Sequence, residues 1–450
     1  MFTPRLRVAL VLAPLFAACS STSDDGAASS ASAGTAGSAG SATTTGGAAG
    51  AGGKAQSGGT TQSGGTTQSG GTTQSGGKAQ SGGAAGQTGA GAGGAAGAGG
   101  TVVPPCAGVT LQASTRITPL SSSMGAGPSI ATSERKSGSA VAWSSGGKVH
   151  VTPLDAVDAR AGNDLVFDGD VVYGLVATDA DAAVLFSRLP DFMTFVRVAW
   201  AGKELARVDL LGGKDHMTQG VEWFYEFAKT GRLARGAGET YVAYFALHRR
   251  WPDGIGHQGD TLRFLDKNGA STGGPGWGWG CSHSMDQRLA TLGSQTGVVC
   301  ISDCYPDKGI FFNHDGPKIT SDPGANCAGQ FGTRLGGLVA TSDGYFLTYT
   351  DAAKKSHLAK LGLDGKPATT SDLDVADTRI ARYQTGLLLG RGGASTTLQR
   401  LDAAGASKGA PESTTAALPT LDFESRSDGE VAWAYASGAG LSVVRVRSCQ

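Results

Sequence analysis

Residues 232–245, RLARGAGETYVAYF, carry a short strand-like segment, a turn of small and polar residues, and then a continuous apolar run. The same frame returns as RLATLGSQTGVVCI from Arg288, GLVATSDGYFLTYT from Gly337 and RIARYQTGLLLG from Arg379. GLVATDADAAVLFS from Gly174 fits it, SIATSERKSGSAVAWS from Ser129 fits with a longer turn, and DFESRSDGEVAWAY from Asp422 fits loosely. With the alanine of the first strand as a ruler, the positions are Ala131, Ala177, Ala234, Ala290, Ala340 and Ala381, with Ser425 in seventh place. They recur at roughly 40 to 57 residues, at or near the periods of propeller blades.

Each continuous apolar run follows a turn of Gly, Asp, Ser or Gln, as expected of a short strand. Several units go on to a third strand that ends in a glycine turn: TLRFLDKNG, HLAKLGLDG and TLQRLDAAG. Short strands at regular spacing, with no amphipathic helical pattern between them, predict an all-β chain. The expected architecture is a seven-bladed β-propeller spanning 104–450.

Upstream, the composition changes twice. Arg5 and Arg7 precede an apolar run from Val8 to Ala18, too short to span a bilayer and shaped as a signal peptide over 1–18. From Cys19 to Val103 the chain is almost wholly Gly, Ser, Ala, Thr and Gln, with the hexad QSGGTT repeated from Gln56. Such low-complexity sequence has little to bury against the entropy of ordering, so 19–103 is expected to be a disordered tether. A random coil of that length reaches on the order of 50 Å.

The Phe16-Ala17-Ala18-Cys19 stretch resembles a bacterial lipobox, in which signal cleavage leaves an N-terminal cysteine carrying lipid such as palmitate. The family pattern prefers leucine where this chain has Phe16, and Leu15 stands one place earlier. Ser20 and Ser21 follow rather than an aspartate, which resembles the outer-membrane sorting choice of Gram-negative lipoproteins. In organisation the whole chain is similar to exported Gram-negative lipoproteins with a low-complexity tether and a β-propeller domain. That resemblance implies a cell-envelope location, a membrane anchor at Cys19 and no particular activity.

The chain has 37 basic and 37 acidic residues, so charge gives no footprint for nucleic acid. Beyond Cys19 there are six cysteines, Cys106, Cys281, Cys300, Cys304, Cys327 and Cys449, an even set read as disulfides in an exported protein. Cys106 and Cys449 flank the repeats, so a closed ring is expected to bring them together. The other four admit three pairings, and sequence does not choose among them.

Long glycine-rich segments cluster in the third and fourth units. The segment HQGDTLRFLDKNGASTGGPGWGWGCSHSMDQR, residues 257–288, holds the candidate ligand-binding residues His257, Asp260, Trp277, Trp279 and His283. Tryptophan faces with nearby polar groups suit a sugar or peptide. His257, Asp260 and His283, with Asp303, are ligand types for a divalent metal, and water activated there would support an extracytoplasmic enzyme. The bland alternative has the tryptophans packed between blades, the imidazoles bonded to loop carbonyls and Asp260 capping a turn. Cys281-Ser282-His283 is a poor nucleophile arrangement, since strand neighbours point apart. The GxSxG match at Gly269–Gly273 runs into Gly274 and Pro275 rather than a helix, which rules out a nucleophile elbow.

The favoured reading is a surface-tethered lipoprotein whose propeller binds an extracellular protein, peptide or glycan, with no catalytic residue assigned. The alternatives are a metal-dependent enzyme using His257 and His283, and a structural cell-envelope protein.

Overall fold

The computed structural model describes residues 110–447, apart from 112–114, 121–128, 189–191, 213–221, 224–230, 251–255, 284–285, 306, 314–315, 325–326, 328–330, 376–377, 393–394, 419–421 and 438–439. The signal segment, the tether, Cys19, Cys106 and Cys449 lie outside the described residues. Within them, seven four-stranded sheets form a β-propeller.

Strand β1 (Thr115–Pro119) comes first among the described strands but belongs to the last blade. Blade one is β2 (Ile130–Arg135), β3 (Gly138–Ser145), β4 (Lys148–Leu154) and β5 (Leu165–Asp168). Blade two is β6 (Val171–Ala177), β7 (Asp181–Arg188), β8 (Phe192–Ala199) and β9 (Glu204–Leu211). Blade three has β10 (Glu222–Trp223), β11 (Gly231–Arg235), β12 (Tyr241–Arg250) and β13 (Gly256–Leu265). Blade four is β14 (Gln287–Leu292), β15 (Gln295–Ser302), β16 (Gly309–Phe312) and β17 (Lys318–Ser321). Blade five is β18 (Arg334–Thr341), β19 (Gly344–Thr350), β20 (Ser356–Leu361) and β21 (Pro367–Leu373). Blade six is β22 (Thr378–Tyr383), β23 (Gly386–Arg391), β24 (Thr396–Leu401) and β25 (Ser407–Thr414). Blade seven is β26 (Glu424–Ser425), β27 (Val431–Ser437) and β28 (Gly440–Val446), completed on its outer edge by β1.

All seven ruler positions fall on the innermost strands, β2, β6, β11, β14, β18, β22 and β26. Alternation along the strands then builds the core. On β12, Ala243 and Phe245 pack toward blade two, while Val242 and Tyr244 pack toward blade four. On β23, Leu387 and Leu389 face blade five and Leu388 faces blade seven. There is one apolar cluster per seam between neighbouring blades, which is why these strands read as unbroken apolar runs rather than as an alternation.

Three of the third-strand turns share one chemistry. Leu154, Leu265 and Leu401 are buried, and each is followed by an aspartate whose Oδ1 accepts backbone N–H groups two and four residues ahead. The fourth turn position is left-handed in each, at Asp158 (φ 59°), Gly269 (φ 78°) and Gly405 (φ 91°). This is a type I turn followed by a left-handed residue, the usual three-residue hairpin connection. Glycine fits that place without strain, whereas Asp158 occupies it because of what its side chain holds.

Closure combines strand exchange with buried charge. Strand β1 pairs β28 from Thr115↔Val446 to Pro119↔Ser442, so the start of the domain finishes its last sheet. At the seam of blades seven and one, the fully buried Asp158 accepts from Arg445 Nε at 3.0 Å, from Ser139 Oγ at 2.9 Å and from Arg116. Burial alone would raise the Asp158 carboxyl; hydrogen bonds and charge from Arg445, then Arg116 and Ser139, outweigh it and hold the carboxyl below its usual value. Asp422 bridges the same seam, accepting from the Thr132 backbone at 2.9 Å and the Ala434 backbone at 2.7 Å.

Candidate functional site

The inner strands begin at one mouth of the central channel, and the connections into each new blade reach that same end. So do the hairpin loops between second and third strands. In blade three this end is extended: the β12–β13 ladder runs out to Arg250↔Gly256, and β10 pairs with β12 at Arg249 and His248. Much of what reads as a loop around His257 and Asp260 is therefore strand. The segment 277–283, leading from blade three toward blade four, lies just beside it.

Asp260 is the hub of that crossing. It is fully buried, and its carboxylate accepts from Tyr244 Oη at 2.9 Å and from Trp277 Nε1 at 3.2 Å. Gly280 donates its N–H to the Asp260 carbonyl at 2.7 Å, and a Cβ on Gly280 would come within 1.9 Å of Asp260 Oδ1. Only glycine lets the chain pass so close. Burial, then the charge and hydrogen bond of Asp260, push the Tyr244 hydroxyl well above its ordinary value. Asp260 is thus a buried hydrogen-bond acceptor that ties β12, β13 and the crossing segment together.

The two tryptophans part company. Trp277 exchanges backbone hydrogen bonds with Leu262, meets Tyr244 edge-on at 5.9 Å between ring centroids, and packs into the seam of blades three and four. Trp279 packs into the seam of blades two and three, against the place where a Cβ on Gly259 would stand, with His257 edge-on at 6.5 Å. Both rings are half-buried, one on each face of blade three, so they do not form a single platform.

His283 has a left-handed backbone (φ 46°), donates its N–H to the Gln258 carbonyl at 3.1 Å, and sets Nδ1 2.8 Å from Asp303 Oδ1. Asp303 is fully buried while the imidazole is about one-third exposed. A buried carboxylate on one ring nitrogen fixes the ring's orientation. Among the described residues, the one group of three or more side chains close enough to share a metal is Asp260, Cys281 and Cys300, not the set His257, Asp260 and His283. Its two cysteines form a disulfide.

The inner cysteine pairing is Cys281–Cys300 and Cys304–Cys327. The first bridge sits in the apolar seam of blades three and four, joining the crossing segment to β15. The second ties together the loops of blade four, where Cys327 donates its N–H to the carbonyl of Asp303. Ser271 of the GxSxG match is bridged to Leu265 at the edge of blade three.

Through the middle runs a channel of about 1120 Å³ lined by the inner strands. Arg232, Arg288 and Arg379 each stand second on their inner strand, and Glu424 lines the lumen from blade seven. Arg288 is fully engaged: Nη2 reaches Asp286 Oδ2 at 2.9 Å and the Leu335 carbonyl at 3.0 Å, Nη1 reaches Asp286 and the Gln287 carbonyl, and Nε reaches the Gly336 carbonyl. Burial, then the neighbouring Arg288 charge, lowers Arg232 to about 9. Enclosure, then Asp422, raises Glu424 to about 7, and the lumen's water tempers that shift because Glu424 is open to it. Sequence reasoning had these arginines in its aligned repeats but gave them no role. The signal was the recurrence of arginine two places ahead of the ruler alanine.

No protein-family model and no curated protein matches the chain. Among solved structures it is similar to the WD40 domain of Toxoplasma gondii coronin, with 10% identity, 74% of this chain and 86% of that one covered, and a TM-score of 0.44. It is also similar to BBS1N in complex with ARL6DN, with 9% identity, 73% and 94% covered, and a TM-score of 0.42. Likeness at that level concerns fold alone; the seven-bladed architecture is read from the chain's own strand pairing.

Proposed function

We propose that the chain is a lipoprotein of the cell envelope, anchored at Cys19 with the outer membrane favoured, whose propeller binds an extracellular protein, peptide or glycan at the end of the tether 19–103. The observation that carries the binding role is the asymmetry of the ring. The extended hairpin, the crossing segment and both described disulfides gather at blades three and four on the mouth where the inner strands begin. Braced loops on a rigid scaffold are where propellers place recognition, and propellers commonly bind proteins.

The anchor is tested by metabolic palmitate labelling of wild type and Cys19→Ser: label in the first and none in the second supports it, and equal labelling refutes it. The binding role is tested on peptide and glycan arrays with the purified full chain and a His283→Ala, Trp279→Ala variant of unchanged melting temperature. A ligand retained by wild type and lost by the variant supports the reading; an array with no ligand for either speaks against it. The metal-dependent alternative keeps one supporting contact, His283 Nδ1 on buried Asp303, since carboxylates orient ligating imidazoles in this way. Elemental analysis of wild type against a His257→Ala, His283→Ala variant decides it.

A further inference from the structure

Blades four and six open alike, with Asp286-Gln287-Arg288-Leu289-Ala290 and Asp377-Thr378-Arg379-Ile380-Ala381. Each has an aspartate two residues ahead of the channel arginine. In blade four that aspartate holds its arginine through two oxygens, as above; Asp377 lies outside the described residues. Blade three departs from the pattern, because Thr230 stands where the others have aspartate.

Arg232 is consequently under-compensated. Its Nη1 donates to the neighbouring Gly231 carbonyl, and its nearest carboxylate oxygen among the described residues, Asp286 Oδ1 at 3.8 Å, already serves Arg288. Its Nη2 is buried with no hydrogen-bond partner among the described residues. A buried guanidinium beside other guanidiniums, in a wide channel, calls for an anion.

We propose that this mouth of the channel is a carboxylate-binding site, in which Arg232 takes a carboxylate of a peptide or protein ligand and Glu424 faces the bound group from blade seven. A guanidinium pairs with a carboxylate through two parallel hydrogen bonds, and the enclosed lumen strengthens the attraction relative to open solvent. The channel's 1120 Å³ admits a chain terminus or an acidic side chain.

The charged groups of this mouth set the pH response. Arg288 and Asp286 neutralise each other, and burial of Asp286 is outweighed by Arg288, so it stays ionised. Asp422, raised to about 6 by burial, turns its oxygens onto Thr132 and Ala434. Arg379 adds positive charge beside Arg232. Glu424 is left as the group that repels an incoming carboxylate when ionised and donates to it when protonated. Affinity therefore rises as the pH falls through the range, above that of an ordinary carboxylate, in which Glu424 takes up its proton.

The partner's identity rests on the binding role proposed above, but occupancy of the channel is measured without it. The purified full chain is titrated calorimetrically with three acetylated tripeptides and with inorganic phosphate. The first peptide is trialanine with a free C-terminus, the second an amidated peptide with a central aspartate, and the third amidated trialanine. At pH 6 an acidic probe is expected to saturate while the neutral one does not, and whichever acidic probe binds tighter tells a chain end from an acidic side chain. Arg232→Gln should weaken that binding at least ~10-fold, the effect of losing a charged hydrogen bond. Arg232→Lys keeps the charge and controls for folding through its melting temperature; it should retain part of the affinity. Glu424→Gln should bind and lose the difference between pH 6 and pH 8. The proposal is overturned if neither acidic probe binds, if Arg232→Gln binds as wild type does, or if phosphate binds where the carboxylates do not. An array ligand for the blade three and four loops alongside any of those results would leave the binding role standing and this site refuted.

Discussion

Two seams of the ring solve the same problem by different chemistry. At both the seam of blades seven and one and the seam of blades three and four, the apolar cluster is small beside the one joining blades two and three. The first adds buried charge: Asp158 under Arg445, Arg116 and Ser139, with Asp422 bonded across to Thr132. The second adds the Cys281–Cys300 bridge and the neutral donors Tyr244 and Trp277 around Asp260. The charged seam joins the two ends of the propeller, where many groups from distant sequence must find each other. The sulfur-braced seam carries the longest loops, where a covalent tie holds the backbone while leaving side chains outside it exposed. One seam is therefore sensitive to acid and the other to reductant.

Asp158→Ala should break the contrast most strongly. It leaves the buried Arg445 with Glu430 as its remaining close carboxylate and takes the carboxylate from Arg116, and the expected loss is about 3 to 5 kcal/mol in denaturant unfolding. The wild-type contribution is also linked to pH. A carboxyl held below its unfolded value of about 3.9 contributes fully above that value and loses its contribution as pH falls through the lower folded one. The difference between wild type and Asp158→Ala should therefore shrink in acid; a constant difference down to pH 2 would argue against the buried ion network.

Cys281→Ala with Cys300→Ala should follow, at about 3 kcal/mol for a loop of 19 residues in the chain-entropy account. Reductant should erase most of the gap between variant and wild type, with no matching effect at the charged seam. The smallest effect belongs to Tyr244→Phe, which removes one of the donors to buried Asp260 and should cost about 1 to 3 kcal/mol. A loss near zero in the melting curve would mean that Asp260 is satisfied without Tyr244.

The fold was legible because its signals are local. A strand packed on both faces reads as an apolar run wherever it occurs, so Ala131 through Ser425 mark all seven innermost strands. The aspartate turns after Leu265 and Leu401 are likewise written within five residues. The exchange of β1 into blade seven was not legible, since TRITP has no pattern that names a partner over 300 residues away. Nor were the site's internal relations. Trp277 and Trp279 are two residues apart, which on a regular strand means one face, but past the Leu262 bridge the chain leaves the ladder and sends them into different seams. Tyr244 and Asp260 meet only because their strands pair, and the cysteine pairing depends on where the crossing segment lies.

The central claim, a seven-bladed ring whose two compared seams are locked independently, is tested most directly by hydrogen-exchange mass spectrometry. Peptides covering Thr115–Pro119 and Gly440–Val446 would be followed beside one covering Gln295–Ser302, in wild type and in Asp158→Ala. The account predicts slow exchange at all three in wild type, and faster exchange in the variant at the first two only. Unprotected amides at Thr115–Pro119 in wild type, or equal loosening of blade four in the variant, would contradict it.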